Sequence, residues 1–510
     1  MFPDWLDWFL SRDGIRLNQI DGIVTSDSYF ATNSLRLGPQ LDRWFPSLKF
    51  VALMEHHDVH QRQAFWQSGF EQAAILTLDT CGENLARLDG RSLAGTIARK
   101  RPNQPFETLS EMCFPESSAG LLYGVVNHHI GFRQGDEGKT MGLAPYGRPE
   151  LYRNLRKHLT LGDDGGFRFL GHKELQLELK RYVPPRLPAK DSPLLDRHMD
   201  VAFAGQALLE EIVCNAFTCA MRISGERKLT YAGGVALNSV ANEIGMKAAR
   251  PDEIYISPNA SDTGQSLGCA LAGAYELCGW QHPGTEISDL LGPNYTEAEL
   301  LQAVKSSKTH VTAPVNGEMM VARCLANGHI VAYYFGRAEF GPRALGNRSI
   351  LCDPRRFNMK DYVNAKVKHR EGFRPFAPSI LEEYAEDWFD LKGRSPYMLR
   401  VVPVREHMRA QIPAVVHIDG SARVQTVSRS ENPEYWRLIS AFHQLTQVPI
   451  LLDTSFNVQG KPIVEQPSDA VNCFLATEID ILYLRPYILS KFPLGDYLTV
   501  QHDDFHTTNG

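Results

Sequence analysis

The segment EHHDVHQRQAF, residues 55–65, places His56 and His60 four residues apart with His57 between them. On a helix, residues i and i+4 share a face, so two imidazoles at this spacing can offer two nitrogen donors to one metal ion. The same spacing also fits a polar helix surface. The glutamate base of an HExxH zinc protease is absent, because position 57 is histidine. Further donors must come from elsewhere. Asp79 closes the apolar run QAAILTLD, and Asp262 lies in NASDTGQSLG, after another apolar run and at the start of a helical pattern. Ligand sites in open α/β sheets collect at the C-terminal ends of strands, where both carboxylates fall. Two imidazoles and two carboxylates suit a borderline divalent ion, Fe2+, Mn2+ or Zn2+. An aspartate at a helix start is by itself more often an N-cap, so Asp262 is the weakest of the four on spacing alone. His57 and Asp58 offer themselves as bases in the same segment, although a helix-surface position accounts for both.

A second group of residues points to anions. Residues 336–376 hold ten Lys and Arg against four Asp and Glu. Arg343 sits in FGPRALG and Arg374 in FRPFAP, wedged among Phe, Pro and Gly rather than along a solvated helix face. Partly buried arginine needs an anion. Arg423 in DGSARVQT and the polar turn TSFNVQG have the same character. Converging guanidinium and ammonium groups bind phosphate. RNA is the competing partner, but the net charge of −6 and the lack of aromatic–basic strips favour a small phosphorylated molecule. Two glycine-rich stretches extend this reading. YAGGVALNSVAN puts Gly233 and Gly234 after a strand and Asn238 on the following helix, so backbone N–H groups can approach a phosphate or ribose. GDEGKTMGLAPYG reads either as a tight surface loop or as a segment holding Glu137 and Lys139 over a nucleotide. There is no Walker lysine–serine pair and no GxGxxG, which excludes the P-loop and Rossmann readings.

The elements that position these residues alternate. FPDWLDWFLS has helical spacing, IDGIVTSD and KFVALM read as short strands, and residues 55–70 form a helix entered directly from a strand. QAAILTLD is a strand that turns at Asp79 and returns as another. SSAGLLYGVVNHHIGF is helical, residues 150–200 form a polar, proline-broken insert, and VAFAGQALLEEIVCNAFTCAMRI is an amphipathic helix. KLTYAGGVALNSVANEIG and EIYISPNASDTGQSLGCALAGAY each repeat strand, turn, helix. This grammar predicts an α/β domain. The texture changes near 281–318, where WQHPGTEISDLLGPNYTEAEL reads as a connector with a fresh helix start, and the boundary is set at 285/286. A chain of 510 residues with 43% hydrophobic and 22% charged residues has room for two or three domains with real cores. Nine cysteines without a CxxC pair argue against a disulfide framework or zinc ribbon and fit reduced thiols. No basic n-region opens the chain and no uncharged apolar run has membrane-spanning length, so the expectation is a soluble cytoplasmic protein.

Taken together, the blocks EHHDVHQRQAF, LTLDTCGE, EGKTMGLAPYG, YAGGVALN, SDTGQSLGCA, GRAEFGPRALGNRSILCDPR, HREGFRPFAPSI, HIDGSARVQTV and TSFNVQGKPIVEQP resemble the O-carbamoyltransferases of the NodU/CmcH type. The resemblance implies an actin/Hsp70-like (ribonuclease-H-like) domain over residues 1–285 and a YrdC-like domain over 286–510. It implies that carbamoyl phosphate and ATP form carbamoyl adenylate in the second domain and that the first passes the carbamoyl group to a hydroxyl of a small natural-product acceptor. By motif, the metal ligands would be His56, His60, Asp79 and Asp262. Arg343, Lys368, Arg374 and Arg423 would be catalytic and, with Ser455 and Asn457, would hold carbamoyl phosphate and its adenylate. Lys139, Gly142, Gly233, Gly234 and Asn238 would contact the nucleotide in the first domain. The implied cofactors are ATP, with Mg2+, and a divalent metal, Fe2+ ahead of Mn2+ and Zn2+. The expected partners are carbamoyl phosphate and the acceptor, without nucleic acid or membrane, and a homodimer is compatible with the reading. Alternatives are a tRNA threonylcarbamoyl-type enzyme, sharing the fold logic, and an inactive binding remnant. The last arises because family members open with a strand bearing a histidine–aspartate motif, whereas this chain opens at the helix that would follow it. That implies an incomplete half-sheet with an exposed edge, from a misplaced start, a real loss, or a piece supplied by a partner. Thr80 also stands where the family usually has glycine.

Overall fold

A computed structural model of the chain describes residues 2–26, 45, 47–82, 89–187 and 192–499. It divides into two units, Met1–Ser288 and Asp289–Gly510. In the first unit, β1 (Gly22–Ser26) and β2 (Phe50–Met54) form a parallel pair whose Val51 and Leu53 face solvent. The chain passes from β2 through Glu55 into the helix His56–Ser68. The Glu55 side chain accepts from the Asp58 backbone N–H at 2.9 Å, which satisfies one of the orphan donors of the first turn, and Gly69, at φ 72°, ends the helix in the left-handed region.

The main sheet of this unit follows from the apolar run Ala73–Leu78. This strand, β3, is buried at all six positions. On one side β4 (Leu93–Lys100) runs antiparallel to it and β5 (Glu107–Cys113) antiparallel to β4, and on the other β8 (Lys228–Ala232) and β9 (Glu253–Ile256) both run parallel to it. The order is therefore β5-β4-β3-β8-β9. Thr160–Leu161 (β6) and Phe167–Arg168 (β7) make a small hairpin inside the insert. The helix Asp196–Ser224 packs beneath the sheet with the helices Ala119–His129 and Ser239–Ala249. β3 and β8 are parallel neighbours, so both end at the same sheet edge, where Asp79 and the Gly233–Gly234 turn emerge.

Two alternatives that the sequence leaves open are decided by the packing. The segment 55–70 is not a polar surface helix. His56, His57, His60, Gln61, Gln63 and Gln67 are all buried. Gln61 donates to Thr96 Oγ1 at 3.0 Å, Gln63 donates to Ser257 Oγ at 2.8 Å and His57 Nδ1 lies 2.9 Å from Thr77 Oγ1, and such bonds let a polar sequence pack inside. Nor is GDEGKTMG a surface loop. Glu137–Leu143 is helical despite Gly138 and Gly142, because Thr140 and Leu143 are buried and Thr140 Oγ1 donates to Asn127 Oδ1 at 2.7 Å. Packing here outweighs the roughly 1 kcal/mol cost of each helical glycine.

The second unit is built on an eight-stranded mixed sheet in the order β10-β19-β18-β11-β12-β17-β13-β16. The strands are β10 (His310–Thr312), β11 (Val331–Tyr334), β12 (Arg348–Cys352), β13 (Ala377–Leu381), β16 (Gln425–Val427), β17 (Ile450–Ser455), β18 (Ile481–Leu484) and β19 (Tyr487–Ser490). A separate pair joins β14 (Val401–Pro403) to β15 (Ser421–Arg423). The pairs β11–β18 and β13–β16 are parallel and the rest are antiparallel. The expected fresh helix start is the capping box of Glu297–Ser306. Thr296 Oγ1 accepts from the Glu299 N–H, and Glu299 Oε2 accepts from the Thr296 N–H at 2.8 Å. All nine cysteines are free thiols. Among the described residues, no helix is long and apolar enough to cross a membrane.

Candidate functional site

The first unit gathers His56, His60, Asp79 and Asp262 so that one donor atom from each lies within 4.8 Å of the others. The two histidines project from one helix face, with ring centroids 4.9 Å apart. His60 Nε2 lies 3.6 Å from both Asp79 Oδ2 and Asp262 Oδ1, and His56 Nε2 lies 3.5 Å from Asp262 Oδ1. Metal–ligand bonds of about 2.1 Å in a tetrahedron separate donor atoms by about 3.4 Å, so these spacings fit a single divalent ion. Asp262 is the first residue inside a short 3-10 turn whose N-cap position is Ser261, which removes the N-cap explanation for it. Its carboxyl is held below the usual range. Burial pushes it upward, and the His60 hydrogen bond with the charges of His56 and His60 outweighs that.

The tautomer of His60 is fixed from behind. Gln63 Nε2 donates to Ser257 Oγ at 2.8 Å and to the Asn259 carbonyl at 2.6 Å. Its Oε1 is left to accept, and it faces His60 Nδ1 at 3.4 Å. In the neutral ring that a metal ligand requires, Nδ1 therefore carries the proton and Nε2 presents a lone pair to the cluster, where Gln265 Nε2 also approaches it at 3.2 Å. A ligating histidine is normally held in this way. Sequence reading missed Gln63 and Gln265. The signal was three glutamines on a helix that has to be buried.

His57 is neither a surface residue nor a base. It is fully buried, with Nδ1 2.9 Å from Thr77 Oγ1 and Nε2 3.1 Å from the Leu93 carbonyl, so it ties the helix to β3 and β4. Asp58 is partly exposed and pairs with Arg62.

The glycine turn supports the same cluster. Gly234 N–H donates to Asp79 Oδ2 and Thr80 N–H donates to Asp79 Oδ1, each at 2.6 Å. Gly233 has φ 93°, and a Cβ there would stand 2.2 Å from the Leu78 carbonyl oxygen, so glycine is obligatory. Thr80 is accommodated because Gly120 packs against its backbone. Asn238 does not lie within the next helix but caps it. Its Oδ1 accepts from the Ala241 N–H at 3.0 Å, and its amide exchanges bonds with Gln206. Lys139 pairs with Asp136 at 3.1 Å on the helix that also carries Gly142. That helix adjoins the glycine turn, since Ser239 Oγ contacts Met141 Sδ at 3.7 Å.

In the second unit the basic block sorts into two kinds of residue. Arg348 is fully buried, and it donates to the carbonyls of Phe335 (2.9 Å), Asn347 (3.0 Å) and Gly336 (3.0 Å). Arg355 pairs with Asp353, Arg356 donates to the Asn327 carbonyl, and Lys366 pairs with Glu478. These are structural. Arg343, Arg370 and Arg374 repel one another and Arg423 of β15. Arg343 is pushed down to about 10 by burial and by the charge of Arg374. Arg370 is pushed down to about 9 by burial and by Arg374. Arg423 falls well below the usual range through burial and then the charges of Arg343, Arg370 and Arg374, with Asp453 opposing. Arg343 and Arg423 keep part of their surface in solvent, but their Nε atoms are sealed and unbonded, and no carboxylate among the described residues pairs with either. Four guanidinium groups close enough to depress one another make a candidate anion cup, with Arg374 also reaching Glu371 at 3.6 Å.

Lys368 adjoins the cup and is lowered to about 7, first by burial and then by Arg370. Its ammonium is already engaged by neutral oxygens. Nζ lies 2.5 Å from the Ser455 carbonyl, 3.3 Å from Ser455 Oγ, 3.0 Å from the Asn457 carbonyl and 2.9 Å from Asn457 Oδ1. Ser455 and Asn457 thus hold Lys368. Below the cup on β17, Asp453 is buried, with Oδ2 accepting from Ser379 Oγ (2.8 Å) and Tyr435 OH (3.1 Å). Burial raises its carboxyl to about 7, against those hydrogen bonds. Arg370 and Asp453 were not singled out in the sequence. Arg370 stood in the quoted HREGFRPF block, whereas Asp453 lies within an apolar strand and carries no local signal.

A divalent-ion cluster on one α/β unit and an anion cup on another define a class, and comparison with known proteins identifies it. The chain belongs to the carbamoyltransferase family: residues 8–271 match Carbamoyltransferase N-terminus and residues 322–491 match Carbamoyltransferase C-terminus. It is an enzyme that transfers carbamoyl groups. Among its relatives, nodulation protein NolO of Bradyrhizobium diazoefficiens is 40% identical over 449 residues, covering 86% of this chain and 79% of that one. Nodulation protein NolNO of Sinorhizobium fredii is 39% identical over 455 residues, covering 86% of this chain and 64% of that one. A solved structure of full-length HypF, in its phosphate- and nucleotide-bound form, aligns at 12% identity over 51% of this chain and 48% of that one. Its TM-score of 0.28 is too low to bear on the fold.

Proposed function

We propose that the chain is an ATP- and metal-dependent O-carbamoyltransferase whose second unit makes carbamoyl adenylate from carbamoyl phosphate and ATP. Water releases phosphate from carbamoyl phosphate, a carbamate oxygen attacks the α-phosphorus of ATP, and pyrophosphate leaves. The acceptor hydroxyl then attacks the carbamoyl carbon, AMP departs, and the hydroxyl proton passes to solvent. The observation that carries this reading is the convergence of Arg343, Arg370, Arg374 and Arg423 without a carboxylate on Arg343 or Arg423. Bringing two phosphorylated anions together demands fixed positive charge, and guanidinium groups set before the ligand arrives supply it without reorganisation. Lys368 adds charge and is steadied by Ser455 and Asn457.

Four residues, His56, His60, Asp79 and Asp262, would hold a divalent ion, Fe2+ ahead of Mn2+ and Zn2+, which when bound supplies Lewis acidity toward the group transferred. Gly233 and Gly234 fix Asp79, and Lys139, Gly142 and Asn238 stand on the adjoining elements as contacts for the nucleotide part of the adenylate. The order β5-β4-β3-β8-β9, an antiparallel meander on one side of β3 and parallel strands on the other, supports an actin/Hsp70-like first domain, and the mixed eight-stranded sheet of the second unit supports a YrdC-like one. The acceptor is a small hydroxyl-bearing natural product, Mg2+ accompanies ATP, and the enzyme works in the cytoplasm. The test is carbamoyl-phosphate-dependent exchange between ATP and labelled pyrophosphate in the metal-loaded full chain. Exchange above the background without carbamoyl phosphate supports the reading, and its absence overturns it.

A further inference from the structure

The four guanidinium groups of the cup are hydrogen-bond donors only. A cup of donors holds the phosphate end of any acyl phosphate. It cannot separate carbamoyl phosphate from acetyl phosphate, which presents a methyl group where the carbamoyl compound has NH2. Telling them apart requires an acceptor placed for the amide hydrogens, and a buried acceptor left unbonded by the protein itself.

His417 provides one. The turn 417–421 brings it onto β15, where the Gly420 N–H donates to the His417 carbonyl at 2.9 Å and the His417 N–H donates to the Ser421 carbonyl at 2.8 Å. Its ring contacts Ser421 Oγ through Nδ1 at 3.3 Å. The Ser421 hydroxyl has one hydrogen, and it donates this to Asp419 Oδ1 at 2.6 Å. Toward the imidazole the hydroxyl can only accept, so Nδ1 carries the ring proton and Nε2 is a bare lone pair. Nε2 is sealed from solvent and has no hydrogen-bond partner. Ser421 and Arg423 are two apart on a strand, so their side chains share a face; His417 meets that face through Ser421 Oγ, near enough to Arg423 for its charge to act on the ring. The ring stays neutral, since burial takes it down to about 4 with Arg423 and Lys360 adding to the effect and Asp419 opposing.

We propose that His417 Nε2 accepts a hydrogen bond from the NH2 group of carbamoyl phosphate and makes the cup selective for carbamoyl over other acyl phosphates. The inference rests on reading the cup as the carbamoyl-phosphate site and names the residue that reads the carbamoyl end. A neutral hydrogen bond in a sealed site is worth about tenfold in affinity.

The test is calorimetric titration of the full chain with carbamoyl phosphate, acetyl phosphate and inorganic phosphate, for the native protein, His417→Ala and His417→Gln. The expected native preference for carbamoyl over acetyl phosphate is about tenfold. His417→Ala should bring that ratio close to one while inorganic phosphate still binds. His417→Gln, whose amide oxygen can stand near the position of Nε2, should restore most of the preference. A preference that survives in the alanine variant overturns the inference and leaves the cup's assignment standing, as does native protein that binds both acyl phosphates equally. Native protein that binds none of the three ligands overturns the cup's assignment and the inference together. If the alanine variant fails to fold, the glutamine variant decides, and phosphate binding without a carbamoyl preference there counts against His417.

Discussion

Gly234 donates its backbone N–H to Asp79 Oδ2 at 2.6 Å. A glycine turn that looks built for a phosphate thus orients a carboxylate at the edge of the neighbouring strand. A Cβ on Gly234 would stand 3.2 Å from Asp79 Oδ1, close enough to displace it. Gly234→Ala is expected to lower bound metal per chain, read by elemental analysis, while the circular dichroism spectrum stays native. Unchanged metal content would separate the turn from the cluster.

His57 and Gln63 should behave in opposite ways. His57→Ala removes the bonds to Thr77 and Leu93 and opens a cavity, at a cost of about 2–4 kcal/mol in urea denaturation, with metal affinity retained. Gln63→Leu releases the proton of His60 Nδ1 from its partner, and metal affinity should fall about 10–100-fold. Equal metal loss in both variants would contradict this division.

The anion cup is under mutual repulsion until something fills it. Arg343→Met should therefore stabilise the phosphate-free chain by roughly 1 kcal/mol, as loss of an unpaired buried charge does, and abolish the thermal upshift that inorganic phosphate gives the native protein. A variant that is less stable without phosphate yet still responds to it would count against the cup.

Lys368 sets a pH dependence whose direction is fixed. Its folded value of about 7 lies below the ordinary 10.5. Between those values the unfolded chain holds a proton that the folded chain lacks, so stability climbs as pH rises, while below about 7 both forms are protonated and the penalty is complete. Arg370 and Arg343, at about 9 and about 10, act in the same sense further up. Denaturation of the phosphate-free protein should give higher stability near pH 9 than near pH 7, with a flatter profile for Lys368→Met. Phosphate binding should draw in protons near pH 8, seen as buffer-dependent heats, because a bound anion favours the charged lysine.

The metal cluster was legible because local rules mark it. Two histidines at helical spacing and two aspartates at strand ends need no knowledge of distant contacts, and all four side chains meet. Arg343, Arg374 and Arg423 were legible through their apolar surroundings. The roles of His57, Gln63, His417 and Asp453 were not, since each depends on partners that arrive from other elements, as Gln63 depends on Ser257 and Asn259. The helix Glu137–Leu143 was obscured by glycine content, which argues for a loop until the burial of Thr140 and Leu143 is known.

Arg348 lashes the backbone of residues 335–347 through three carbonyls, and Glu339 Oε1 catches the N–H groups of Leu345 (2.7 Å) and Asn347 (2.8 Å) from within the same stretch. Arg343 rides on that braced segment. An incoming ion meets a finished mould and freezes little chain motion on arrival. Capture is then limited by encounter, and competing ions are sorted by how long each one lingers.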